Sequence, residues 1–228
     1  MSLVLYSYFR SSAAYRVRIA LNLKNLDYTI HPVHLLENGG EQNHSEYLAI
    51  NPQGLVPAIQ TTDGLLTESA AIVEYLEERY PLPPLLPEGV RARAFVRSLT
   101  QMIACDIHPL NNLRVLNYLW PGNEPVKPRN EWMQHWLEKG FGAFENRIRG
   151  SGSKGSFCFG TVPGLADLFL IPQVYNALRF GLAVERYPLI LGIYRNCISL
   201  DAFRQAAPEN QLDAPENRKS GRANIQIA

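Results

Sequence analysis

The chain has 228 residues, 46% of them hydrophobic, enough to bury a core in one large domain or two small ones. Its formal net charge of +1 gives no global attraction to nucleic acid or an anionic membrane, and no apolar run reaches the roughly 18 residues a spanning helix needs. The three cysteines, Cys105, Cys158 and Cys197, are far apart, without a Cys-x-x-Cys or a Cys/His spacing for zinc; this argues against a metal and suits reduced thiols in a cytosol. The first ten residues lack the charged region and cleavage site of a signal peptide.

In chain order, Leu3 to Tyr8 reads as a short apolar strand. Ala13 to Leu23 reads as a helix with Val17, Ala20 and Leu21 on one face. Asp27 to Leu35 is a second strand, which Pro32 sends to a sheet edge. Two β-rich runs then flank Asp63-Gly64, a favoured hairpin turn, and Ser69 precedes a helix striped by Ile72, Val73 and Leu76. Residues 1–81 thus form a small α/β unit. Four prolines between Pro81 and Pro87 cannot continue a helix, so 82–90 reads as a semi-rigid linker. Beyond it, 91–207 reads as all helical: one long helix over Arg91 to Leu119, another from about Glu131 to Ile148, and a Gly/Ser loop. A segment beginning at Gly164 follows that is apolar nearly all round, hence a buried central helix. The polar tail, 208–228, is expected to be poorly ordered.

Several positions combine residue types that can do chemistry. Ser11 and Ser12 precede the first helix, where a hydroxyl either caps free N–H groups or, with those N–H groups, stabilises an anion such as a thiolate. Arg10, Arg16 and Arg18 add positive potential nearby, although arginines on a helix ordinarily face water. Ser69, after Glu68, offers the same choice between a cap and a carboxylate site. Val56-Pro57 lies in a strand-like run; a cis bond there would leave the Val56 backbone open to an extended, peptide-like ligand. His108, Asn111, Asn112 and Arg114 share one polar segment with no second ligand at metal spacing. Trp132 and Trp136, one turn apart, read as packing residues.

The stretch YSYFRSSAAYRVRIALNLK, with NPQGLVPAI, ESAAIVEYLEERYP and IPQVYNALRF, closely resembles the zeta class of cytosolic glutathione transferases, which includes maleylacetoacetate isomerase. The resemblance spans about residues 3 to 207. It implies a thioredoxin-like α/β N-terminal domain followed by an all-α C-terminal domain, a homodimer, and glutathione as cofactor. Position by position, it implies that Ser11 and Ser12 lie at the glutathione thiol, with Ser12 the stabiliser of the thiolate. Gln42 would hold the glycyl end, Val56 ahead of Pro57 the cysteinyl backbone, and Glu68 with Ser69 the γ-glutamyl end. His108 falls where the class often has glutamine, and Asn112 matches a polar helix residue near the site. Arg10 and Arg179 match arginines that face substrate carboxylates.

Two departures stand out. Ala13 replaces the cysteine that usually follows the serine pair, so any role of that thiol is absent. Gly164 replaces the Ser/Thr that usually opens a capping box with Asp167, so the central helix should form with one side-chain cap fewer. The implied activity is glutathione-dependent cis–trans isomerisation of a maleyl-type 1,3-dicarbonyl acid, maleylacetoacetate to fumarylacetoacetate. The segment around His108 also resembles maleylpyruvate isomerases. Conjugation of small haloacids and a non-catalytic glutathione-fold binding protein are the further alternatives.

Overall fold

The computed structural model describes residues 3–123, 125–151 and 155–215. The chain divides into two compact units, Met1–Pro84 with Ser199–Ala228, and Leu85–Ile198. The division falls inside the proline-rich stretch.

The first unit runs β1 (Leu3–Ser7), α1 (Ser12–Leu23), β2 (Tyr28–Pro32), a short α2 (Ser45–Leu48), β3 (Ala58–Thr61), β4 (Gly64–Thr67) and α3 (Ser69–Arg79). The strands form one sheet in the order β2-β1-β3-β4. β1 and β2 pair in parallel from Leu3↔Tyr28 to Ser7↔Pro32, a pairing that requires a crossover, which α1 provides. β2 is an edge strand, as Pro32 predicts. β3 is antiparallel to both β1 and β4. The hairpin is shifted by one residue from the sequence expectation: Thr61 pairs with Gly64, so the loop is Thr62-Asp63. The Thr61 hydroxyl moves the turn, because it accepts the Asp63 N–H at 3.1 Å and donates to the Gly64 carbonyl at 2.8 Å.

The arginines of α1 do not face water. Arg16 and Arg18 are 2% and 0% exposed, so the helix is buried around most of its circumference rather than along one stripe. At its end, the fully buried Lys24 ammonium donates to Glu77 Oε2 at 2.8 Å and to the carbonyls of Tyr80 and Pro83 at 2.6 and 3.0 Å. That pair fastens α1 to α3 and to the chain leaving it.

In the second unit, the single helix expected over Arg91 to Leu119 is broken. α4 (Val90–Gln101) runs into a π-helical turn (Met102–Ile107), then a 3₁₀ turn (Pro109–Asn111), and α5 (Leu113–Leu119) starts afresh. Pro109 has no N–H to continue the ladder, and Asn112, in extended conformation, recaps the chain by accepting the Arg114 N–H at 3.1 Å. α6 (Val126–Arg149) begins earlier than its apolar stripe suggested. Its Gly140 lies against the π turn: a Cβ there would fall 2.1 Å from Ile107 Cδ1. α7 (Leu165–Arg179) is buried along most of its length, as expected of a central helix. It keeps half its capping box: Asp167 accepts the N–H of Gly164 at 2.8 Å and that of Cys158 at 2.9 Å. Burial pushes the Asp167 carboxyl up, and pushes the Cys158 thiol well up. Trp132 and Trp136 pack edge to face at 5.7 Å. α8 (Pro188–Ile198) closes the unit.

The last helix, α9 (Asp201–Ala206), belongs with the first unit and not with the helical one, as the sequence had suggested. α1 claims it: Tyr15 donates its hydroxyl to the Phe203 carbonyl at 3.2 Å, and Asn22 its amide to the Ala202 carbonyl at 2.9 Å. The tail also departs from expectation. A 3₁₀ turn (Pro208–Asn210) follows α9, and Gln211 and Ala214 are buried. Composition misses this because one buried amide and one methyl group suffice to seat a polar segment. Residues 216–228 of the expected tail lie outside the described residues.

Candidate active site

The N-terminus of α1 is presented by a tight turn. Ser11 N–H donates to the Tyr8 carbonyl at 3.0 Å. Ser11, in extended conformation, caps the helix through its Oγ, which accepts the Ala14 N–H at 3.2 Å. Ser12 is the first helical residue. The two hydroxyls therefore have different duties: Ser11 satisfies the helix, and Ser12 does not cap it. Arg10, half-buried, lies over the Phe9 ring with its guanidinium carbon 5.6 Å from the centroid.

The turn shares one apolar cluster with other predicted positions. Tyr8 and Phe9 pack with Val33, Tyr47, Val56 and Ala214, flanked by Tyr6, Leu35 and Ile50. Val56 therefore neighbours the serine turn, although 44 residues separate it from Ser12 in the chain. The Val56-Pro57 bond is cis. Its approach is fixed by two donors on the Leu55 carbonyl, Tyr47 Oη at 2.6 Å and Asn51 Nδ2 at 2.8 Å. Burial pushes the Tyr47 phenol up to about 12, so it remains a donor throughout the neutral range. β3 starts only at Ala58, and Val56 makes no backbone hydrogen bond among the described residues.

Gln42 sits on the connection between β2 and β3, its Nε2 3.4 Å from the Leu35 carbonyl. Its Oε1 is buried with no protein partner among the described residues. An orphaned buried acceptor is costly, and a ligand N–H would satisfy it. At α3 the sequence expectation is corrected: Ser69 is not the cap but the first helical residue, and Glu68 holds the cap position at φ 66°, ψ 114°. No side chain caps this helix, so its leading N–H groups are available to an anion. Positive φ is strained for a residue with a Cβ, at roughly 1–3 kcal/mol. Ser69 Oγ accepts from Arg16 Nη1 at 3.1 Å, which ties the start of α3 to α1 and leaves the Ser69 hydroxyl proton for another acceptor.

Residues 5–84 match the family described as glutathione S-transferase, N-terminal domain. The maleylacetoacetate isomerase of Pseudomonas aeruginosa is 48% identical over 92% of this chain and 98% of its own. The holo structure of a maleylpyruvate isomerase, a bacterial glutathione transferase of the zeta class, superposes with a TM-score of 0.89 at 43% identity, covering 93% of this chain and all of that one. The maleylacetoacetate isomerase of Methylobacterium extorquens, solved with malonate and glutathione bound, gives 0.88 at 41% identity over 93% and 99% of the two chains. The chain belongs to the zeta class of glutathione transferases. The fold expected from the resemblance, an α/β N-terminal domain with a helical domain after it, is the glutathione transferase fold.

Within the zeta-class fold, Arg10, Ser11, Ser12, Gln42, Val56, Pro57, Glu68 and Ser69 belong to the first unit. His108, Asn112 and Arg179 belong to the helical unit. His108 closes the π turn, its N–H donating to the Ile103 carbonyl at 2.9 Å. Asn112 has committed Oδ1 to the cap of α5. Arg179 ends α7, stacked 4.4 Å from the Phe180 ring centroid. Sequence reasoning missed Tyr47 and Asn51, which brace the Val56 turn, and Asp213, which meets the serine turn. Arg18 was weighed only as a positive charge near the serines, and the structure adds its bonds to the turn. Among the described residues, no group of three His, Cys, Asp or Glu could hold a metal ion, and no helix is long and apolar enough to cross a membrane.

Proposed function

We propose that the chain is a glutathione-dependent cis–trans isomerase that converts maleylacetoacetate to fumarylacetoacetate in aromatic amino-acid breakdown, as a cytoplasmic homodimer. The observation that carries this reading is the pair Ser11 and Ser12, one the cap of α1 and the other its first helical residue, on a turn packed against Val56. When bound, glutathione supplies the thiolate nucleophile that adds to the double bond and leaves after the bond has rotated. The protein's residues make that sulfur available and hold the other groups still.

A free thiol has a pKa near 8.5, and each unit of lowering needs about 1.4 kcal/mol of preference for the charged form. The Ser12 hydroxyl and the N-terminal N–H groups of α1 supply donors of the right sign. Val56 pairs its free backbone groups with the cysteinyl backbone, as an added strand would. Gln42 Oε1 accepts from the glycyl end. Ser69, Glu68 and the open N–H groups of α3 take the γ-glutamyl end. Arg10 and Arg179 hold substrate carboxylates and stabilise the negative charge that develops during addition. His108 and Asn112 are further glutathione-binding candidates that the resemblance carries; Asn112 caps α5 with its oxygen and keeps its amide donors.

The second reading is maleylpyruvate as substrate, favoured by the similarity to the maleylpyruvate isomerase structure. The two substrates share a cis double bond between a carbonyl and a carboxylate. Side-by-side kinetics on both, with glutathione assayed before and after, test the reading. The expected result is a higher kcat/KM for maleylacetoacetate, or its analogue maleylacetone, with glutathione unconsumed. Preference for maleylpyruvate reverses the order, and stoichiometric loss of glutathione replaces isomerisation by conjugation.

A further inference from the structure

Phe9 lies between two oppositely charged side chains to which the reading above gives no role. Its N–H donates to Asp213 Oδ2 at 2.7 Å, and its carbonyl accepts from Arg18 Nη2 at 2.9 Å. Arg18 spends its other donors on the same turn and on α9: Nη1 reaches Ser7 Oγ at 3.0 Å and the Tyr8 carbonyl at 3.4 Å, and Nε the Ala206 carbonyl at 2.9 Å. The Tyr8 carbonyl is also the acceptor of the Ser11 N–H. Both peptide groups that flank Phe9 are thus gripped by ionic groups, two residues before the serine pair. Hydrogen bonds to ionised partners are about twice as strong as neutral ones, and a turn held by several of them has little freedom to reorient.

The segment that carries Asp213 is itself anchored. Gln211 donates from Nε2 to the carbonyls of Gln205 and Ala207, both at 2.9 Å. Ala214 enters the cluster formed by Tyr8, Phe9 and Val56. One short strap therefore touches two parts of the proposed glutathione site, the serine turn and the Val56 turn. The charged and titratable groups around it are Arg18, Arg10, His34, whose ring lies 4.9 Å from Tyr8, and Glu209.

We propose that Asp213, acting with Arg18, is a positioning residue for thiolate formation: the C-terminal strap holds the Phe9 peptide so that the start of α1 and the Ser12 hydroxyl stay aimed at the glutathione sulfur. The inference rests on the glutathione reading above. Asp213 does not touch the sulfur. It acts through geometry, which matters because small displacements of a catalytic group cost up to about a hundredfold in rate. Phe9 N–H is only partly buried, so after loss of the carboxylate water can satisfy it, and the fold survives while the turn gains freedom.

The test uses the full chain as parent, Asp213→Ala and Asp213→Asn. The thiol pKa of bound glutathione is followed by ultraviolet difference absorbance, and kcat and KM by maleylacetone turnover across pH. Asp213→Ala should raise the bound-thiol pKa by about one unit and lower kcat at neutral pH about tenfold, which is about 1.4 kcal/mol. The deficit should close at alkaline pH, and KM for glutathione should change less than kcat. Asp213→Asn, whose oxygen can still accept from Phe9 N–H, should recover most of the loss. An Asp213→Ala protein with the parental thiol pKa overturns the inference, and so does an Asn variant as impaired as the Ala variant. Should Asp213→Ala fail to fold, amide exchange in the parent decides: a protected Phe9 amide supports the clamp, and rapid exchange overturns it. A parent that leaves the thiol near its free value overturns the glutathione reading and this inference together. A parent that lowers it, beside an Asp213→Ala that lowers it equally, overturns this inference alone.

Discussion

Alanine at Ser11 and alanine at Ser12 should fail in different ways, because Ser11 is the cap of α1 and Ser12 its first helical residue. Ser11 Oγ accepts the Ala14 N–H at 3.2 Å, a cap whose loss costs about 1 kcal/mol. In a protein of this size that lowers Tm by about 2–4 °C. Ser12 sits inside the first turn and is not the cap, so, compared with Ser11→Ala, Ser12→Ala should lower Tm less. Its cost should fall on the sulfur. A hydrogen bond to a charged group contributes about 1.5–3 kcal/mol, which is about one to two pKa units at about 1.4 kcal/mol per unit. Below the thiol pKa the thiolate fraction falls tenfold for each unit, so turnover at neutral pH should drop about ten- to a hundredfold. Above both pKa values the solvent removes the proton unaided, and the two profiles should meet. The assay is maleylacetone isomerisation from mildly acid to alkaline pH at saturating glutathione, beside thermal denaturation. If Ser12→Ala and the parent share one apparent pKa and one plateau, Ser12 is not the sulfur's donor. If Ser12→Ala loses several degrees of Tm while Ser11→Ala loses none, the division between cap and donor is reversed.

Other consequences follow from the same geometry. Glu68→Gly should raise Tm by a few degrees through relief of positive φ while raising KM for glutathione, and Glu68→Ala should raise KM without the gain in Tm; equal Tm values for the two would remove the strain account. Glu77→Ala strands the buried Lys24 ammonium and should cost roughly 3–5 kcal/mol in urea unfolding, whereas an exposed pair such as Arg186–Glu138 should cost less than about 1 kcal/mol. Cys105 is exposed whereas Cys158 and Cys197 are buried, so a thiol reagent should label one cysteine in the native chain and all three after unfolding. Burial pushes the Cys158 and Cys197 thiols up, so the native state keeps protons that the unfolded chain releases near the ordinary thiol pKa of about 8.5. Stability should therefore be intact below that pH and fall above it, by up to about 1.4 kcal/mol per pH unit per thiol, and Cys197→Ala should reduce the slope.

The local signals were legible where one residue type has one physical meaning. Pro32 kept β2 at the edge. The cis Val56-Pro57 bond followed from a proline in a strand-like run, and Asp167 kept its backbone contact although Gly164 offers no side-chain cap. The motif around Ser11 and Ser12 pointed to the family and to glutathione. Tertiary structure decided what depends on partners remote in the chain. Which serine caps α1 turns on whether a residue is extended or helical, and two adjacent serines look alike in sequence. Arg16 and Arg18 read as a solvated face because periodicity cannot reveal that Ser69, the Phe9 peptide and the Ala206 carbonyl would surround them. The tail through Pro215 read as loose because its polar composition hides how few groups it needs: Gln211 reaching back to α9, Ala214 filling a gap beside Val56, and Asp213 meeting a backbone N–H 204 residues away. Composition records how many apolar groups a segment has, and only the folded chain decides whether each of its polar groups finds a partner.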